Sequence, residues 1–256
     1  MKKIEIPEND LPKYSRRTWL AMIQFALVSG AGYAGWRWLK NQPPDGGLLG
    51  GIPQPLRKGL EANEKLFSQY YDNDRLVKEY PTSQAAQEVR VNSRIGLDGS
   101  YSTEDAWSLS VQKTNGNMLQ INLPQIKALP KTEVIFNFKC IEGWSQISWW
   151  GGVRLSDFMN HFSLVEESGF KYIGMSTPDN EYSVGIDMPS ALHPQTILAY
   201  EMNRQPLVLD HGAPLRLIIP VKYGYKSLKQ IGSIYFDQNK PTDYWATRGY
   251  DYYAGL

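Results

Sequence analysis

The sequence predicts an α+β fold, mainly β, behind an N-terminal helix. Three observations carry this. Strand-length apolar runs separated by turn residues fill the chain after Pro81. Helical spacing is confined to a few short segments. No glycine-rich phosphate loop follows a strand and opens a helix, which withdraws support from a nucleotide-binding, doubly wound sheet.

The first element is an apolar stretch at 19–39, interrupted by Gln24, Ser29 and Arg37 and about long enough to cross a bilayer as a helix. Lys2, Lys3, Lys13, Arg16 and Arg17 precede it. Ser15-Arg16-Arg17-Thr18-Trp19-Leu20 resembles a twin-arginine export signal, and two arginines before any membrane helix also satisfy the positive-inside rule. Either way the bulk of the chain is expected at the outer face of a bacterial inner membrane. Gly32-Tyr33-Ala34 offers a small-residue cleavage site, whereas Trp36, Arg37 and Trp38 favour an interfacial anchor that stays attached. Residues 1–40 are therefore read as signal or anchor.

Residues 41–55 hold four prolines and four glycines and form a linker. The folded domain spans 56–256. Leu60, Glu64, Phe67 and Tyr71 sit at helical spacing, predicting a helix over 58–71. Strands are predicted at 87–91, 107–111, 118–121, 134–138, 171–175, 182–186, 197–202 and 215–220, with a short amphipathic helix at 155–162. Sixteen tyrosines and eight tryptophans, clustered at 144–150 and 244–253, suit β-rich packing.

Charge and cysteine content bound the chemistry. Lys and Arg total 27 against 26 Asp and Glu, so there is no global electrostatic case for a nucleic-acid partner. The single cysteine, Cys140, excludes an intramolecular disulfide and an all-thiolate metal cluster within one chain. It lies at the end of an apolar strand beside Lys139 and Glu142. A neighbouring cation favours a thiolate, a soft ligand for a soft metal centre, while a small buried hydrophobe stays open as the plain alternative. A cysteine nucleophile would want a positioned base, and only His161, His193 and His211 are available.

Two motifs narrow this. Lys139-Cys140-Ile141-Glu142-Gly143-Trp144-Ser145 resembles the signature of the sulfite oxidase superfamily in which the cysteine binds molybdenum. Some seventy residues on, Asp210-His211-Gly212-Ala213-Pro214-Leu215-Arg216-Leu217-Ile218-Ile219-Pro220 and then Tyr223-Gly224-Tyr225-Lys226-Ser227-Leu228-Lys229 resemble its pterin-binding half. The resemblance covers roughly 85–256 and implies a sulfite-oxidase-type molybdopterin-binding domain with a molybdenum-molybdopterin cofactor. It implies Cys140 as metal ligand, His211 against the pterin and Lys226-Ser227 against its phosphate. The residue chemistry agrees, since Arg216, Lys226, Ser227 and Lys229 offer donors to a phosphate and Gly212 and Gly224 allow close backbone approach. Glu142 is expected to adjust proton supply or to serve as a structural hydrogen-bond partner. Trp144, Trp149 and Trp150 are candidates for the entrance wall or the core. Asn63-Glu64 is either an upstream cofactor contact or an ordinary helix face.

Ala191-Leu192-His193-Pro194-Gln195-Thr196-Ile197-Leu198-Ala199-Tyr200, the terminal Tyr250-Asp251-Tyr252-Tyr253-Ala254 and the leader resemble the bacterial periplasmic branch that reduces protein methionine sulfoxide. His211 departs from that branch toward the sulfite-oxidising one. The resemblance implies reduction of S- or N-oxides with electrons from a membrane cytochrome b or quinone-linked protein, or from a periplasmic cytochrome c. The alternatives are oxidation of sulfite or a similar anion and, from another class, a non-redox exported binding module.

Overall fold

The structure, a computed structural model, describes residues 14–45 and 51–256. Lys2, Lys3, Lys13 and linker residues 46–50 lie outside the described residues. Helix α1, Arg16–Lys40, starts on Ser15, whose hydroxyl accepts from the Thr18 amide, and leaves all its residues unburied. It is as long as the sequence suggested, but among the described residues no helix is long and apolar enough to cross a membrane. The expectation of a spanning helix is corrected accordingly: Arg16, Arg17, Arg37 and Lys40 take the ends, and Gln24, Ser29 and three glycines dilute the middle.

The linker closes on itself: an isolated bridge joins Pro44 to Pro53, and Arg57 pairs with Asp45 at 2.6 Å. Arg57 also donates to the Ala246 and Tyr250 carbonyls, so helix α2, Gln54–Gln69, is docked at its N-terminal end. It begins at Gln54 rather than Lys58, because Pro55 supplies a helix-compatible φ in the first turn.

Two five-stranded sheets build the domain. In chain order the elements are β1 (Leu109–Gln112), β2 (Met118–Ile121), α3 (Leu123–Lys127), β3 (Lys131–Lys139), β4 (Ser145–Arg154), α4 (Leu155–His161), β5 (Tyr172–Ser176), β6 (Ser183–Asp187), α5 (Met188–Ala191), β7 (Ile197–Met202), β8 (Gln205–Pro206), β9 (Arg216–Ile218) and β10 (Ser233–Asp237). The first sheet runs β2-β1-β10-β5-β6, with β1 and β10 parallel and the other pairs antiparallel. The second runs β3-β4-β7-β8, with β9 on β7, and is antiparallel throughout.

The second sheet is buried on both faces. Side chains alternate along a strand, so Leu198 and Tyr200 of β7 enter the larger core shared with the first sheet, while Ile197 and Ala199 enter a smaller one with Val134, Phe136 and Trp150. The same alternation sends Leu215, Leu217 and Ile219 into the larger core and leaves Arg216 over the Trp150 ring, 4.5 Å from its centroid.

The predicted strand at 87–91 does not form. That segment is held by single contacts, Ala86 N–H to the Ile147 carbonyl and Arg90 N–H to the Gln146 side chain, rather than by a ladder. Three strands went unpredicted, β4, β10 and the two-residue β8. In β4 a serine pair and Gly151-Gly152 break the apolar pattern, and β10 is short with half-buried polar ends.

Candidate active site

Cys140 stands where the β3–β4 hairpin turns. Its N–H donates to the Trp144 carbonyl at 2.9 Å and its carbonyl accepts from Gly143 at 3.2 Å, so the thiol is carried on a tight, hydrogen-bonded turn. Lys139 belongs to the opposite, exposed side of the strand, while Cys140 is buried. Burial pushes the thiol pKa up, and the Glu142 charge pushes it in the same direction. The expected help from Lys139 is therefore corrected. A metal cation held there would have to supply the ionisation, since metal coordination deprotonates a thiol.

The thiol opens onto a small cavity of about 60 Å³, lined by Asn92, Ser93, Tyr182, Tyr225, Ser227, Lys229 and Trp245 among others. Hence the first motif and the Ser227 and Lys229 end of the second share one cavity, although they are far apart in sequence. Two glycines make that possible. A Cβ on Gly224 would lie 2.4 Å from the Phe138 ring, so only glycine lets this turn rest against the end of β3. Gly212, at φ +94°, would place a Cβ 2.7 Å from the Lys229 Cβ.

Behind the cavity lies a group of basic residues with little negative charge. Arg216 is 2 % exposed and donates to the His211 and Ser227 carbonyls at 3.0 and 3.1 Å, but among the described residues its Nε has no partner and no carboxylate pairs with it. Burial pushes its pKa down to about 9. Lys229 donates to the carbonyls of Asn92, Ser93 and Asp210, and burial with the nearby Arg216 pushes it down to about 7. Burial, Arg216 and Lys229 together push His211 down to about 4, leaving a neutral imidazole at neutral pH. Its neighbour Asp210 is spent on the exposed Arg94 at 2.7 Å. Buried cations without counter-charge and an orphaned guanidinium N–H are what a bound phosphate would satisfy, so the residues present fit a phosphate-bearing pterin.

Other expected site residues fall elsewhere. Lys226 is corrected: its ammonium is 2.5 Å from the Asp243 carboxylate and 2.9 Å from the Gly185 carbonyl, so its charge is already neutralised and it does not line the cavity. Glu142 lines the cavity and accepts from the Trp144 indole at 2.8 Å, an arrangement open to either expected role. Trp150 is core, Trp149 lies under Arg204, and Trp144 stacks on Phe138. Trp245 is the tryptophan on the cavity wall, and the aromatic cluster at 244–253 was its only sequence signal. Asn63 and Glu64 line a separate depression on α2, where Glu64 pairs with Lys240 at 2.5 Å. The upstream segment that does reach Cys140 carries Asn92 and Ser93, which no pattern in the sequence marks. His193 is a buried core residue whose Nδ1 accepts from the Gln195 amide, and His161 is exposed.

Residues 98–245 match the family model described as the oxidoreductase molybdopterin binding domain. The chain is 31 % identical over 186 residues to a protein of Azospira oryzae provisionally named a protein-methionine-sulfoxide reductase subunit, covering 72 % of this chain and 70 % of that one. It is 30 % identical over 179 residues to the protein-methionine-sulfoxide reductase catalytic subunit of Campylobacter jejuni, covering 63 % and 60 %. The sulfane dehydrogenase SoxCD of Paracoccus pantotrophus superimposes with a TM-score of 0.49 at 16 % identity, over 54 % of this chain and 40 % of that one. The family model and the Azospira relative place the chain: it is a molybdopterin-dependent oxidoreductase and belongs to the sulfite oxidase family.

Proposed function

We propose that this protein reduces S-oxides, methionine sulfoxide foremost, by oxygen-atom transfer. The observation that carries the proposal is the shared cavity, with Cys140 at one side, Ser227 and Lys229 at another and an aromatic wall of Tyr182, Tyr225 and Trp245. Cys140 would ligate molybdenum, His211 would face the pterin, and Arg216, Ser227 and Lys229 would hold the phosphate. Bound there, the molybdenum cofactor supplies the two-electron oxygen-atom transfer, and the protein sets ligation, access and charge. Aromatic rings suit a methyl thioether, whose sulfur packs favourably at ring edges. The names of the two relatives support the substrate class. Glu142, fixed by Trp144 at the cavity, would carry protons between cavity and solvent.

Oxidation of sulfite or a similar anion is the second reading, favoured by His211 and by the uncompensated charge behind the cavity. One preparation from a cofactor-competent host decides. Its molybdenum and pterin content is measured, then its rates with methionine sulfoxide plus reduced dye and with sulfite plus an electron acceptor. Cys140→Ser should abolish turnover in whichever direction is active, because a hydroxyl is a harder and poorer ligand than a thiolate. Near-normal activity in that variant would remove Cys140 from the metal.

We further infer export to the outer side of the inner membrane, with electrons arriving from a membrane cytochrome b or quinone-linked protein or a periplasmic cytochrome c. Arg16-Arg17 opening a helix of only moderate hydropathy support a twin-arginine leader. Replacing both arginines by lysine keeps the positive-inside signal but removes the paired-arginine one. Continued export of that variant would argue against the leader.

A further inference from the structure

Asp243 and Lys226 are each about 1 % exposed at the side chain and 2.5 Å apart. The carboxylate accepts four hydrogen bonds. Oδ2 takes Lys226 Nζ and the Gly185 N–H at 3.2 Å, and Oδ1 takes the N–H groups of Trp245 at 3.1 Å and Ala246 at 2.9 Å. Asp243 thereby caps the turn that delivers Trp245 to the cavity wall. Lys226 sits between Tyr225 and Ser227, which line the same cavity, while its own side chain points to Asp243 and lies 4.3 Å from the centre of the Tyr252 ring. A second link runs parallel, since Tyr182 donates to the Tyr225 carbonyl at 2.7 Å and stacks on Tyr244 at 5.0 Å.

We propose that the Lys226–Asp243 pair is a positioning device that fixes Trp245 relative to the 224–227 turn and so sets how the cavity beside Cys140 admits substrate. Both residues act through others: neither lines the cavity, and the carboxylate reaches its wall only through the backbone N–H of Trp245. An ion pair is suited to this, because separating the two groups would leave each charge buried and uncompensated. The substrate named in the test rests on the S-oxide reading. The positioning role does not.

The variant to make is Lys226→Met with Asp243→Asn, which strands no charge and leaves the Asn oxygen to cap Trp245 and Ala246. In the loaded enzyme, molybdenum per chain should stay at the wild-type level and kcat within about twofold, while KM for a methionine-sulfoxide peptide rises about tenfold. The second readout needs no activity. Full-length chain made without cofactor, first shown by its thermal transition to be folded, is treated with iodoacetamide. Cys140, the single cysteine, should be alkylated about tenfold faster in the variant. Wild-type KM together with wild-type alkylation in a folded variant would overturn the proposal, as would loss of molybdenum with KM unchanged. If the double variant does not fold, Lys226→Arg keeps the charge at a longer reach, and wild-type values there overturn it too. A wild-type enzyme that carries molybdenum but reduces no sulfoxide sinks the substrate reading alone, and the alkylation rates still decide the positioning role.

Discussion

The segment from Arg216 to Lys229 buries four basic side chains, and they divide into two kinds. Lys222 and Lys226 are paired with Asp187 and Asp243 at 2.7 and 2.5 Å. Among the described residues, Arg216 and Lys229 have only backbone carbonyls as acceptors. A buried charge with its partner belongs to the architecture of a protein, whereas one without a partner costs free energy unless an external group arrives. The same stretch of chain therefore contains its own scaffold and its own binding site, and burial alone does not tell them apart.

The largest expected effect breaks the scaffold pair. Asp243→Ala leaves the Lys226 ammonium buried and unpaired, which should cost about 3 to 5 kcal/mol in urea unfolding of the cofactor-free chain. Arg216→Met should cost the same chain less than that, because it removes an uncompensated charge, although it frees the His211 and Ser227 carbonyls. In the loaded enzyme that variant should bind cofactor about one to two powers of ten more weakly, since a charge-assisted hydrogen bond contributes roughly 1.5 to 3 kcal/mol. Molybdenum content and steady-state rates on one preparation test this. Full occupancy with an altered KM would move Arg216 from cofactor to substrate.

The same unpaired groups should also show in pH dependence. Lys229 at about 7 and Arg216 at about 9 lie below their ordinary values of 10.5 and 12.5, so between those limits the unfolded chain binds more protons than the folded one. These two groups should make the stability of the cofactor-free chain rise between about pH 7 and 10. His211, at about 4 against 6.5, adds a rise of the same sign between those values. Melting temperatures should climb by about 3 °C for each kcal/mol regained. Bound phosphate supplies the missing anion, so the alkaline part of that slope should flatten in the loaded enzyme. Parallel slopes with and without cofactor would separate Lys229 and Arg216 from the phosphate.

The sequence made the two motifs legible because each is local. Cys140 closes one strand and Ser227-Leu228-Lys229 follows a glycine-marked turn, so both survive without knowledge of the fold. Lys226 was misread for the same reason: beside Ser227 and Lys229 it looks like a third phosphate donor, and only Asp243, brought up from a later segment, shows otherwise. Strands β2 and β7 were legible as apolar runs broken by one polar residue each, Gln120 and Glu201. β4 was not, because its glycines and serines are read locally as turn formers, whereas its strand state is imposed by neighbours on both sides, β3 and β7. Asn92 and Ser93 were invisible because their segment is irregular, positioned by side chains of distant residues rather than by any periodicity of its own.

The parallel pairing of β1 with β10 has a consequence for the order of events during synthesis. The cavity needs Asn92 from one end of the domain and Trp245 from the other, and the first sheet cannot close around β1 until β10 has left the ribosome. A nascent chain therefore presents Cys140 long before it presents a pocket. Loading must follow translation, on a chain that has already made its long-range pairings, which are the slow ones.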